Sequence, residues 1–274
     1  MIEKRLNGLS IWSFEGLLQY KGVSHFVSGR VGGFSQQPFH SLNLGFHVGD
    51  NQQTVIKNRR HLACALGICL NNFTFAKQVH RGGVKIITEE LRGAGSVVQG
   101  KAIDESDALV SHVPNIFLVI LIADCVPVLF YDPIKNVAGV AHAGWRGTLR
   151  QIAKNTISVF QQGFGSLPRD IIVGIGPSIG PCCYEVGQEV IAQVEEAFCS
   201  KGPYIDRVTK QGKGFFDLWE ANKAQLISAG IPERNIEVAK ICTHCRHDSF
   251  FSHRFQKGRT GRFGAGIMIQ GGAG

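Results

Sequence analysis

A cysteine and a histidine each stand at the end of an apolar run in ADCVPVLFYDPIKNVAGVAHAGWRGT, residues 123–148, and a glycine-flanked Trp-Arg follows the histidine. A thiol is a soft metal ligand or nucleophile, an imidazole a ligand or proton carrier, and a guanidinium a planar cation shaped for phosphate or carboxylate. The runs VLFY and VAGVAH flank DPIKN, a turn signal, and read as a hairpin. Pairing Asp132 with Val137 across it sets His142 opposite Pro127. Cys125, two residues further along, then projects from the same face as a diagonal neighbour of His142. Diagonal neighbours lie roughly 7–8 Å apart at the backbone, within reach of one ion given Zn–S of about 2.3 Å and Zn–N of about 2.0–2.1 Å. The two residues alone fit a buried thiol beside a hydrogen-bonded histidine equally well.

A catalytic metal built on Cys125 and His142 needs a third protein ligand and an open position. His80, in FAKQVHRGGV, stands at a strand end beside glycines, and it competes with His25, His40, His47, His61 and the C-terminal histidines. Spacing singles out none of them. Past His142, AGWRGT leads toward a helix expected from Thr148. A glycine-rich turn into a helix presents free N–H groups to an anion, and Arg146 adds a charged fork. A turn carrying a surface arginine is the simpler account of that motif alone.

The elements that must hold these residues are read from periodicity. Strands are expected at 23–30, near 84–88, at 107–110, at 116–131 with a break near Cys125–Pro127, and at 137–142. DIIVGIG, IEVAKI and AGIMIQ read as further strands. Asp50 is placed to cap a helix through about Leu66, with Val55, Leu62 and Leu66 on one face. The helix from Thr148 carries Leu149, Ile152, Thr156 and Val159. A helix in EVGQEVIAQVEEAF aligns Val186, Val190, Val194 and Phe198, and another runs from Asp217 to Gly230. Hairpin-joined strands with helices between them indicate α+β. The long loop VGGFSQQPFHSLNLGFHVGD is expected to bind something.

The chain has 274 residues and a net charge of +8, yet no basic run resembles a nucleic-acid arm. KNRRH at 57–61 reads as the solvated face of a helix, so a phosphate-bearing small molecule fits the charge better than nucleic acid. NIFLVILIA is too short to span a bilayer, and the N-terminus lacks a signal peptide's apolar stretch, so no membrane partner and a cytoplasmic protein are expected. The eight cysteines are expected to be reduced. CTHCRH at 242–247 holds one C-x-x-C with no second to complete a zinc ribbon. The adjacent Cys182–Cys183 pair is a poor substitute, and a structural role, with redox as the alternative, is assigned to the C-x-x-C.

KQVH, ADCVPVLFYDP and AHAGWRGT, together with SGRVGGFS, SLNLGFHVGD, GIGPSIGPCCYEVG and FFSHR…GRTGR, closely resemble the YfiH/YlmD family, once labelled laccase-domain or multicopper polyphenol oxidases. The likeness spans nearly the whole chain and leans to the bacterial YlmD branch. It implies one domain over residues 1–274, with central β-sheets flanked by helices in a layered α/β/β/α sandwich. It implies a mononuclear zinc centre in which His80, Cys125 and His142 are ligands and catalytic residues. It ranks Arg30, Asn43 and Cys183, with Glu185 beside them, as secondary substrate-binding candidates after Arg146. Where the family often has glycine after the QVH histidine, this sequence has Arg81. Strand alternation turns Asp124 away from Cys125, in a structural role, unless the chain bends before Pro127.

The implied activity is purine nucleoside phosphorolysis, with purine nucleosides and phosphate as partners. Adenosine deaminase and methylthioadenosine phosphorylase are the implied side activities. Three other classes compete. A copper oxidase fails on inventory, because the only methionines are Met1 and Met268 and no H-x-H pair exists. A zinc- or cysteine-dependent amidase acting on peptidoglycan precursors is the second, and a zinc-carrying binding module the third.

Overall fold

Alternation along the apolar runs decides which layer each side chain enters. The protein is described by a computed structural model over residues 1–199 and 202–271. Its strands in chain order are β1 (Ile2–Leu6), β2 (Leu9–Ser13), β3 (Val23–Ser28), β4 (Phe73–Phe75), β5 (Val84–Ile86), β6 (Ala108–Ser111), β7 (Phe117–Ile122) and β8 (Val126–Asp132). They continue with β9 (Val137–Ala143), β10 (Ile172–Ile175), β11 (Glu185–Val186), β12 (Ile205–Asp206), β13 (Gly214–Phe216), β14 (Ile236–Val238) and β15 (Phe263–Ile269). The helices are α1 (Glu15–Leu18), α2 (Gln52–Ala65), α3 (Trp145–Leu149), α4 (Ile152–Phe164), α5 (Gln188–Phe198) and α6 (Leu218–Ser228).

Two six-stranded sheets result, in the orders β1-β2-β3-β15-β7-β4 and β14-β10-β8-β9-β6-β5, with a small sheet β11-β13-β12 beside them. Along β7, Leu118, Ile120 and Ile122 enter the core between the large sheets, while Phe117, Val119 and Leu121 face Leu62 and Ala63 of α2. Along β8, Leu129 and Tyr131 join the core between the sheets, and Val126, Val128 and Phe130 pack toward Ile152, Ile157 and Phe160 of α4 and Leu226 of α6. The layers therefore run helix, sheet, sheet, helices, as expected. No helix among the described residues is long and apolar enough to cross a membrane.

Several boundaries differ from expectation. The helix expected from Thr148 begins at Trp145, and it is split because Gln151 adopts a left-handed φ of 59° between α3 and α4. The cap of α2 is Asn51, whose side chain accepts the Thr54 N–H. Asp50 instead accepts hydrogen bonds from Ser35 and Asn43. Val186 lies in β11, outside α5, whose buried residues are Ile191 and Val194. KNRRH is only partly solvated. Arg59 is buried, donating to the carbonyls of Leu44, Gly95 and Ser96 and lying over the Phe46 and Phe75 rings. The hairpin β1–β2 went unanticipated.

Candidate metal centre and active-site pocket

The hairpin β8–β9 pairs Asp132 with Val137 and Pro127 with His142, the expected register. His142 is nearly buried near the end of β9, and Cys125 sits immediately before β8. His80 lies on the loop between β4 and β5. Two features hold that loop. The Gln78 amide bonds the backbone of Leu121 in β7 in both directions, at 2.9 and 2.8 Å. The Asp107 carboxylate, just before β6, accepts the N–H groups of Val79, His80, Arg81 and Gly82. These bonds stabilise His80 at a left-handed φ of 59°.

The ligand atoms of His80, Cys125 and His142 lie within 4.8 Å of one another. The two imidazoles meet edge to face, their centroids 4.7 Å apart. The His142 Nδ1–H donates to Asp107 at 3.1 Å, which leaves Nε2 free as a ligand. Gly144 makes room: a Cβ there would stand 2.8 Å from Cys125 Sγ and 3.3 Å from the His80 ring. Burial alone would raise the Cys125 thiol, but the His142 charge and hydrogen bonds from both histidines pull it down to about 6. Burial would likewise lower His142, and the Cys125 and Asp107 anions push it up to about 9. Against its own burial, Asp107 is held well below the usual carboxylate range by His142 and the backbone N–H groups of Arg81 and His80. Two imidazoles and a ready thiolate fit a borderline-soft ion that leaves a fourth position open.

That position faces a cavity of about 620 Å³, a size typical of small-molecule sites. Phe46, Phe75, Trp145 and Tyr184 give it aromatic walls, and Lys77, Arg146, Arg254 and Arg262 bring positive charge. Arg146 lies 4.2 Å over the Trp145 ring and is exposed, with no carboxylate partner among the described residues.

Arg30, Asn43 and Cys183 lie outside this lining. The Arg30 guanidinium is bound to the carbonyls of His40 and His247 and to Gln256, and it stacks on Phe251. Asn43 is fully buried, bonded to Gly45, Asp50 and the Arg262 N–H, so it shapes the loop beside the pocket. Cys183 packs against Cys245 instead. Glu185 pairs with Lys213 at 2.8 Å, and Arg81 with Glu105 at 3.5 Å on the surface. The chain does bend at Asp124, where φ is 85°, and Asp124 reaches the lining. Its carboxylate accepts the Thr243 hydroxyl and the Arg254 N–H, at 2.7 and 2.6 Å, which supports a structural role.

Reading the sequence missed Asp107, Tyr184 and Arg262. Tyr184 and Arg262 stand inside recognised motifs and could have been singled out there. Asp107 carries no spacing signal.

Residues 24–270 match the family described as multi-copper polyphenol oxidoreductase laccase. Purine nucleoside phosphorylase YlmD of Geobacillus stearothermophilus is 39% identical over 251 residues, covering 92% of each chain. The chain belongs to the YfiH/YlmD family. The crystal structure of YlmD from Geobacillus stearothermophilus superposes with a TM-score of 0.92 at 36% identity, covering 99% of this chain and 98% of that one. Another relative, adenosine deaminase RL5 of an unknown prokaryotic organism, is 34% identical over 90% of this chain and 94% of its own. Despite the family's copper label, no methionine lines the pocket of this YfiH/YlmD protein, so the axial ligand usual in blue-copper centres has no counterpart.

Proposed function

We propose that this YfiH/YlmD protein is a zinc-dependent purine nucleoside phosphorylase. It converts inosine, adenosine or guanosine and phosphate to the free base and ribose 1-phosphate, with adenosine deaminase and methylthioadenosine phosphorylase as side activities. The observation that carries this reading is the His80, Cys125 and His142 donor set opening into a pocket with aromatic and cationic walls. The chemistry that a zinc ion held there supplies is Lewis acidity at an open coordination position.

In phosphorolysis a phosphate oxygen bonds to C1′ as the C1′–N9 bond breaks, and that bond's electron pair leaves with the purine. The chain has to hold two reactants in line and balance the phosphate charge. Arg146, with no carboxylate partner among the described residues and steadied on Trp145, holds the phosphate, with Arg254 and Arg262 adding to the positive field. Trp145, Tyr184 and Phe46 offer faces on which a purine ring stacks. Asp107 fixes the His142 tautomer and the His80 loop, so the donors are in place before substrate arrives. The reading takes residues 1–274 as one domain working in the cytoplasm.

Turnover of inosine with and without phosphate tests it. The expected result is negligible turnover without phosphate, saturable turnover with it, and ribose 1-phosphate as the sugar product. Free ribose released at the same rate in the absence of phosphate overturns the phosphorylase reading.

A further inference from the structure

We infer that Cys182, Cys183, Cys242 and Cys245 form a second metal site, a tetrathiolate holding one thiophilic divalent ion, with zinc the expected occupant. The inference is independent of the phosphorylase reading and of the His80, Cys125 and His142 centre.

Topology brings the four together. Strands β10 and β14 are parallel neighbours, so both chains leave the sheet at the same end. The pairing extends past the strands as an isolated bridge between Ser178 and Cys242, with Ser178 donating to Ile241 and Thr243 donating to Ser178. Each chain then turns. The first turn is closed by bonds from the Cys183 and Tyr184 N–H groups to the Gly180 carbonyl, the second by a bond from Arg246 N–H to the Cys242 carbonyl. Consecutive side chains of an extended strand point apart. The turn at Gly180 instead brings both Cys182 and Cys183 to one side, which is why the adjacent pair, discounted from sequence, completes the set that the C-x-x-C begins.

The spacing is that of ligands around an ion. Cys245 Sγ lies 3.7 Å from Cys182 Sγ and 3.4 Å from Cys183 Sγ, and all four sulfurs fall within 4.8 Å of one another. A regular tetrahedron with Zn–S of about 2.3 Å has sulfur–sulfur edges of about 3.8 Å. A disulfide requires about 2.05 Å, and none of the four is in one. The Gly180 N–H also donates to Cys242 Sγ at 3.3 Å, the kind of outer bond that orients a metal-bound thiolate.

The site joins a segment that walls the pocket to one that braces it. Ile179 and Tyr184 flank the cysteine pair and line the cavity, and Thr243, next to Cys242, holds the Asp124 carboxylate. An ion there fastens this wall without touching substrate.

Metal analysis of the full chain, purified anaerobically without chelator, is the test. The intact protein is expected to carry about two ions per chain, and His142→Ala to keep the tetrathiolate ion. Cys245→Ser and Cys182→Ser are each expected to lose one ion and keep the other. Far-UV circular dichroism shows whether each variant is folded. Cobalt substitution of His142→Ala is expected to give the strong visible absorption of a tetrahedral thiolate-bound ion, a signal independent of whether Cys245→Ser folds. Iron in place of zinc at the same stoichiometry supports the site and identifies its occupant. A His142→Ala protein that binds no zinc, iron or cobalt, with four titratable thiols or a disulfide among these cysteines, overturns it.

Discussion

The Asp107 carboxylate accepts the Nδ1–H of His142 at 3.1 Å while the same group accepts the backbone N–H of His80 at 2.9 Å. One buried anion therefore sets the ring orientation of one metal ligand and the backbone of another. The two ligands come from separate elements, β9 and the loop between β4 and β5, and neither hairpin register nor loop length alone would align them.

Replacing that anion should weaken the metal more than the fold. Asp107→Asn keeps the shape but cannot accept all five donors, and losses of 10- to 100-fold in metal affinity are typical when such a partner is removed. Competition against a chromophoric chelator measures this, with thermal unfolding of the metal-free protein as the control. An affinity within about twofold of the parent would leave Asp107 with a purely structural role.

Arg146→Ala should raise the phosphate KM while leaving the metal content unchanged. A charge-assisted hydrogen bond contributes about 1.5–3 kcal/mol, or roughly one to two decades in binding. Initial rates across a phosphate series at saturating inosine provide the measurement. An unchanged phosphate KM would remove Arg146 from the anion site.

Acid sensitivity should trace in part to His25. Burial, only partly opposed by Glu237, lowers it from 6.5 to about 4, and its Nε2 accepts the Phe14 N–H at 2.8 Å, a bond the neutral ring makes. The unfolded chain therefore binds the proton more readily than the native one. The neutral ring's contribution is complete above pH 6.5 and declines as pH falls toward 4, by at most about 3 kcal/mol. Urea unfolding of the parent and of His25→Gln between pH 7.5 and 4 tests this. The variant should be less stable at pH 7.5 and lose less on acidification; equal slopes would rule out His25 as the source.

Much of this site was legible because its information is local. DPIKN between two apolar runs specifies a hairpin, and alternation along the hairpin then places Cys125 near His142. Hairpin-joined strands with helices between them indicated α+β, whereas the layering came with the family resemblance. What stayed hidden depends on contacts distant in sequence. Arg59 looks solvated until the carbonyls of Gly95 and Ser96 meet its guanidinium. Cys182 and Cys183 look unsuited as partners of Cys242 and Cys245 until β10 and β14 are seen side by side. His80 joins the donors only through Asp107 and Gln78, and no motif spacing encodes either bond.

The β8–β9 hairpin also divides the chain into positions where length is free and positions where it is frozen. Its turn, with Ile134 at the tip 71% exposed, lies at the opposite end of the strand pair from His142. Residues added there lengthen a solvent-facing loop and leave every pairing intact, so the turn is a natural point for a tag, a reporter domain or an evolutionary insertion. One residue removed from between Asp132 and Cys125 would reverse the face on which the thiol emerges, and the donor set would lose its sulfur without any ligand having been mutated.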